Sequence, residues 1–378
     1  NQINNIYVNN GFGLLNSYFA INEGFDFGVV DVDGYGIRDT GFYGGNNINT
    51  LTLETAARYI DPTLFSLGAR PSMQTNGIAN TLTDLLHYLA DSNGMTLEEF
   101  MDLVNDYNDG VAIADLTNLG FFDNLQDTGA GASIPDILQA GILANSDLRG
   151  TGNLGTVQAY QIRSDNEFDN QSTLIQFINQ ITSIQVTDVV KGTQLTAGSL
   201  GTFSVGSDMI NSQLHVAGEL TNFSVGGTFD ADSSLTMEGY NGYLNNFDVT
   251  EDMDGQLIVS GSVNSIDIDG DLNGWIQVEG GQSNLAAINI IDVAHNLSSD
   301  NFYVDGDVTT INVGDDASGA LTITGDLGTM SVGRNSAGGD MLMDLIVQGN
   351  LGTLTANGVI SGDVQVFGDV TDKISATR

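Results

Sequence analysis

The chain has 378 residues, 41% of them hydrophobic, which is enough for a sizeable core and excludes global disorder. Its 48 acidic and 9 basic residues give a formal net charge of −39, which excludes nucleic acid as a partner and sets the chain against anionic membranes. Cysteine is absent, so disulfides and thiolate metal sites are excluded, and no 18-residue apolar run is present to insert in a membrane.

Two readings of the carboxylate excess stand side by side. It points to divalent cations or a high-salt exterior, or it serves solubility by self-repulsion and needs no ligand. Glycine occurs 48 times and proline only at Pro62, Pro71 and Pro135, a balance that predicts short strands joined by glycine and Asn/Asp turns. The sequence opens at Asn1 rather than Met, as an exported protein with its signal peptide removed would, so an extracellular or cell-surface location is expected.

In chain order, residues 1–50 are rich in Gly, Asn and aromatics and read as irregular strands or loops. Helical signals follow. Ile78, Leu82, Leu85, Leu86 and Leu89 share one helical face, and Thr96 with Glu99 forms a capping box before Leu97, Phe100, Met101 and Val104. A third helix is predicted over Ser133–Ala144, with Pro135 in its first turn, and a fourth over Ser172–Gln180 through Leu174, Ile175 and Ile178. Residues 1–150 are therefore expected to form a mixed, partly helical domain. Residues 151–180 are a boundary region, where Gly152–Val157 (GNLGTV) hints at a first coil followed by a helical insertion.

From about residue 181 to 378 the sequence repeats. Segments opening at Gly198, Gly218, Gly261, Gly306, Gly325 and Gly349 read Gly-x-[Leu/Val]-x-x-apolar-x-apolar, with Ala356 the smallest final residue. Gly239 and Gly368 open weaker versions, and Gln180–Val186 matches without the glycine. A second alternating pair follows about ten residues later, as at Leu214/Val216, Leu257/Val259 and Leu321/Ile323, the period-2 mark of a strand with one buried face.

One such unit cannot bury its apolar positions, whereas stacked units bury them in a continuous column. The expected fold class is thus mainly β, with a C-terminal β-solenoid of about nine coils of roughly 20 residues, each rising about 4.8 Å. A β-sandwich is the rival, but its strands need not resemble one another. The repeat runs almost to the last residue, so the final coil is expected to offer unpaired backbone groups to another molecule.

Calcium is the best-motivated cofactor. Asp31 and Asp33 before Gly34, and Asp267, Asp269, Asp271 and Asn273, place oxygens at alternate positions, the spacing used by hard-cation loops. The second run is not an EF-hand, since Gly270 stands at the fourth position and Val278 where a bidentate Glu belongs. Such clusters also arise simply as turns.

A lyase acting on acidic sugars needs a basic residue, and the repeat offers only the scattered Lys191, Arg334, Lys373 and Arg378. A hydrolase needs only paired carboxylates and survives that test, but Trp275 is the sole tryptophan for a sugar platform. His87, His215 and His295 are far apart in sequence, and no nucleophile-elbow, P-loop or dinucleotide motif is present.

The units at Gly325 (GDLGTMS) and Gly349 (GNLGTLT) resemble the glycine-rich β-strand repeats of large exported bacterial surface proteins. The resemblance covers roughly the last 200 residues and carries over no catalytic residue. It implies a non-enzymatic extracellular structural subunit, a homo-oligomer or polymer in a filament, sheet or surface layer. The alternative is an adhesin for cell-surface glycan, or a polysaccharide hydrolase, on the same scaffold.

Overall fold

A computed structural model describes residues 3–8, 14–15, 18–20, 27–33, 36–38, 41–45, 48–54, 142–164, 172–280, 287–335 and 338–377. The chain divides into two compact units, Asn1–Arg149 with Val157–Thr173, and Gly150–Thr156 with Leu174–Arg378. No helix among the described residues is long and apolar enough to cross a membrane.

In the first unit the described residues are parallel strands. Ile3–Val8, Phe27–Asp33 and Ile48–Glu54 stack in register, with Ile6, Val30 and Leu51 at one level. Leu14–Leu15, Gly36–Arg38, Ile142–Ala144 and Gln161–Arg163 make a second stack, and Tyr18–Ala20 pairs with Gly41–Gly45. Val30, Val32, Ile37, Phe42, Leu143 and Ile162 are buried between these layers. Phe19 stacks on Phe42 with centroids 4.9 Å apart.

The helices expected over residues 78–89 and 96–104 lie outside the described residues, as does most of Ser133–Ala144. The last three residues of that span, Ile142–Ala144, are a strand.

The second unit is the solenoid. Its first face consists of strands whose leading apolar residues are Leu154, Ile181, Leu200, Leu220, Leu244, Val263, Ile288, Val308, Leu327, Leu351 and Val370. That makes about 11 turns, against the nine expected from about residue 181 on. One of the additional turns is the Gly152 coil. The other opens at Ile288, where no glycine precedes the motif and a glycine-keyed reading passes over it. The weak unit assigned to Gly239 is also corrected. The pairing shifts between Met237 and Gly242, so the first-face residue there is Leu244, two beyond Gly242.

A second face stacks the alternating pairs, Leu214/Val216 on Leu235/Met237 on Leu257/Val259 and onward to Val364/Val366. A third face is narrow. It consists of single bridges running Met209, Phe229, Met253, Leu272, Leu297, Ala317, Met341 and Ile360. Three strand segments per turn enclose a core whose residues from Leu200 to Leu354 are almost completely buried.

Like sits on like within those columns. Phe203, Phe223 and Phe247 stack with centroids 5.4 and 4.8 Å apart, and Phe229 meets the last two edge-on from the third face. Such offset and edge contacts add about 0.5–1.5 kcal/mol per pair beyond the area they bury.

The predicted helix over Ser172–Gln180 is overturned. These residues belong to strand Thr173–Val186, in which Thr173, Ile175 and Phe177 are buried and Gln176 and Ile178 exposed. The period is two, and the exposed Ile178 supplied the false helical spacing.

Candidate functional site

The predicted cation ligands fall in two places. Asp31 and Asp33 are strand residues flanking buried Val32, with Asp31 paired to Tyr7 on one side and Thr52 on the other. Asp267 is the next-to-last residue of strand Gln256–Ile268, while Asp269, Asp271 and Asn273 follow in the corner before the strand Trp275–Glu279. Among the described residues no three His, Asp or Glu side chains are grouped to hold a metal ion.

The corner acids have another use, which sequence reading missed. At the corner before the third face, each Asx oxygen accepts the backbone N–H of the equivalent residue in the next turn. Asp252 Oδ1 accepts from Asp271 at 2.8 Å, Asp271 from Asn296 at 2.9 Å, and Asn296 from Asp316 at 3.2 Å. The series continues from Asp316 to Asp340 at 2.7 Å and from Asp340 to Val359 at 2.9 Å. The corner before the first face repeats the device over Asp307, Asp326, Asn350 and Asp369, at 2.8, 2.6 and 2.9 Å.

These carboxylates sit where the ladder would leave a corner N–H unmatched, and a charged acceptor makes the stronger bond. Asp271 is engaged this way, while Asn273 is held by a side-chain bond, its Nδ2 donating to Asp254 Oδ1 at 2.9 Å. Much of the Gly-Asp signature is therefore a coil-to-coil fastening. The cue in the sequence is that the Asx residue precedes an apolar residue once per turn.

Asp267 belongs to a different feature. On the first face it stands in register between Asp248 and Asp292, three acids on successive turns. Partial burial between the turns, and then the charge of Asp269, raises the Asp248 carboxyl above the usual range. Asp267 is raised by burial first, then by Asp269, Asp248 and Asp292. Arg334 reaches back to this column, its Nη1 3.5 Å from both Asp292 oxygens, and Asn335 Nδ2 donates to the Ala294 carbonyl at 3.0 Å.

Two histidines are paired to single acids. His215 Nε2 lies 3.1 Å from Glu238 and His295 Nδ1 3.1 Å from Asp315, on exposed surface in both cases. His87 lies outside the described residues. Trp275 and Tyr303 are partly exposed on neighbouring turns of the second face, where Tyr303 is in register with Gln277.

The last described turn is unlike those before it. Leu351 and Leu354 are fully buried, whereas their in-register partners Val370 and Ile374 are each 45% exposed. Val364 and Val366 continue the buried columns of Leu345 and Val347 but are only half-buried, and Phe367 is exposed. Strand Val370–Ala376 is also irregular, its pairing with Leu351–Ala356 shifting between Leu351 and Thr353.

No protein-family model, no curated protein and no solved structure matches this chain. The β-solenoid stands on its own register and burial, and nothing ties it to one lineage of surface proteins.

Proposed function

We propose that the chain is a non-enzymatic structural protein of the cell exterior, a subunit that self-assembles through the edges of its solenoid. The observation that carries this reading is the stacked turn itself, in which first-face residues such as Leu327 and Leu351 meet like on like and corner acids such as Asp307 and Asp326 fasten each turn to the next. A parallel strand edge with unpaired backbone groups is a template for further pairing. The corner carboxylates support the same reading, because their bonds serve the stacking of turns.

The test is negative-stain electron microscopy with sedimentation velocity over a range of concentrations. Filaments, sheets or concentration-dependent oligomers are expected. Single particles at every concentration would undercut assembly and bring forward the glycan-binding or hydrolytic reading of the scaffold.

A further inference from the structure

We propose that the outer side of the second face binds an uncharged, ribbon-like β-linked polysaccharide, with Trp275 and Tyr303 as its platforms. The site lies on a side of the solenoid, within its middle turns, and works whether or not copies of the chain assemble.

Charge marks out this side first. Between the inward pairs of the second face one residue per turn points outward. In unbroken register these are Thr236, Ile258, Gln277, Tyr303, Thr322 and Ile346. None is charged, in a chain of net charge −39. The first face is different, since it carries Asp248, Asp267 and Asp292 on successive turns. An anionic ligand is repelled by the acids around the neutral column, and a cationic one finds no acid within it to pair with. A second copy would bring its own rim acids, Glu279 and Asp305, against those already there. An uncharged ligand meets none of these penalties.

Unbonded polar groups mark the same place. On the first face polar side chains bond one another from turn to turn, Asn246 Nδ2 donating to Asn222 at 2.8 Å and Ser224 Oγ to Ser204 at 3.0 Å. Around Trp275 they do not. Trp275 is 37% and Tyr303 38% exposed. Among the described residues neither the indole N–H nor the phenol hydroxyl has a hydrogen-bond partner, and no ring contact joins the two. Gln256, in register with Trp275, also keeps its amide unbonded among the described residues. Gln277 Nε2 donates to Glu279 at 2.9 Å, which leaves its carbonyl oxygen to accept.

A pyranose ring supplies what these groups lack. Its C–H face carries partial positive charge and settles on the negative face of an aromatic ring. Its hydroxyls both donate and accept, as an amide does. Trp275 and Tyr303 are diagonal neighbours on adjacent turns, so two sugars of one chain can rest on them while Gln256 and Gln277 reach the hydroxyls. Glu279 and Asp305 stand at the rim as further acceptors. A parallel sheet with rungs about 4.8 Å apart is a flat support, which selects an extended ribbon over a coiled polymer.

Trp275 is the only tryptophan of the chain, so its emission reports this site and no other. Full-length protein is titrated with hydroxyethylcellulose and with galactomannan, both uncharged and β-linked. Carboxymethylcellulose, the cellulose backbone with carboxylates added, is the charged counterpart. A saturable blue shift is expected with the two uncharged polymers, and binding at least tenfold weaker with carboxymethylcellulose at low salt. Tyr303→Ala is expected to weaken binding at least tenfold. Thr322→Asp, which puts a charge into the column one turn from Tyr303 and removes no ring, is expected to do the same with an unchanged thermal midpoint.

Unchanged Trp275 emission with both uncharged polymers would overturn the site. So would carboxymethylcellulose binding as tightly as hydroxyethylcellulose, or wild-type affinity in both variants. Sedimentation reads assembly and Trp275 emission reads this face, so either property can fail while the other stands.

Discussion

Asp267 stands between Asp248 and Asp292 on adjacent turns with Asp269 beside it, and its carboxyl is raised by partial burial and then by those charges. A carboxyl whose folded pKa lies above its unfolded value opposes folding once it is ionised. The penalty is fully present above the folded pKa and vanishes as pH falls below the unfolded one. Acidification from neutrality is therefore expected to stabilise the solenoid through this column. Asp267→Asn removes the central charge of the run, so it should raise the thermal midpoint at pH 7 and weaken the gain seen on lowering pH. Calorimetry from pH 7 to pH 4 checks it, and an unchanged pH profile in the variant would remove the column as its source. Other residues at this scale act through satisfied bonds. Ser212, fully buried, accepts from Thr193 N at 3.1 Å and donates to the Ile210 carbonyl at 2.8 Å, closing a corner that water does not reach.

At the scale of one turn, stacking sets how closely backbones approach. A Cβ built on Gly261 would run into the carbonyl oxygen of Gly242 one turn away, a backbone atom that cannot swing aside. Gly261→Ala is expected to destabilise by about 1–3 kcal/mol, the range for overfilling a packed site. Chemical denaturation measures the loss, and a neutral outcome would mean that the turns can spread locally. This constraint also explains what the sequence made legible. The glycine two residues before the first-face apolar marked Leu200, Leu220, Val263, Val308, Leu327 and Leu351 correctly, because close approach recurs there. The turn at Ile288, preceded in sequence by Ala286 and Ala287, carries no such glycine and escaped notice. So did the motif in Ile3–Val8, Phe27–Asp33 and Ile48–Glu54, preceded at that place by Asn1, Phe25 and Asn46. Ser172–Gln180 was misread for another reason. Leu174 and Ile178 face outward, and their spacing mimicked a helix while Thr173, Ile175 and Phe177 carried the true alternation. The acidic corners show the limit on sites. Alternating Asp residues resemble cation ligands in one dimension, and only the stacking of turns reveals Asp271 as an acceptor for Asn296.

For the whole molecule the governing fact is a charge of −39 on a fold that repeats its acids once per turn. Turns about 4.8 Å apart lie well within the screening length of about 30 Å at 0.01 M salt, so carboxylates on neighbouring turns repel at nearly full strength there. At 1 M salt the screening length is about 3 Å, shorter than the turn spacing, and the repulsion between exposed acids largely disappears. Stability and assembly should both increase with salt over that range, since both bring acids closer than in the unfolded or separate chains. The size of the increase separates two accounts of the carboxylates. If they act only as a diffuse charge, sodium chloride and tetramethylammonium chloride at matched concentration should raise the thermal midpoint alike, because screening depends on ionic strength and not on the ion's coordination chemistry. If sodium raised it by several degrees more, some of the acids would be coordinating the ion rather than merely being screened by it. Equal curves are the expected result, because Asp271, Asn296, Asp316 and Asp340 already spend their oxygens on the next turn, and the Asp248–Asp267–Asp292 column is answered on one side by Arg334. A chain fastened in this way keeps the rest of its charge for solubility.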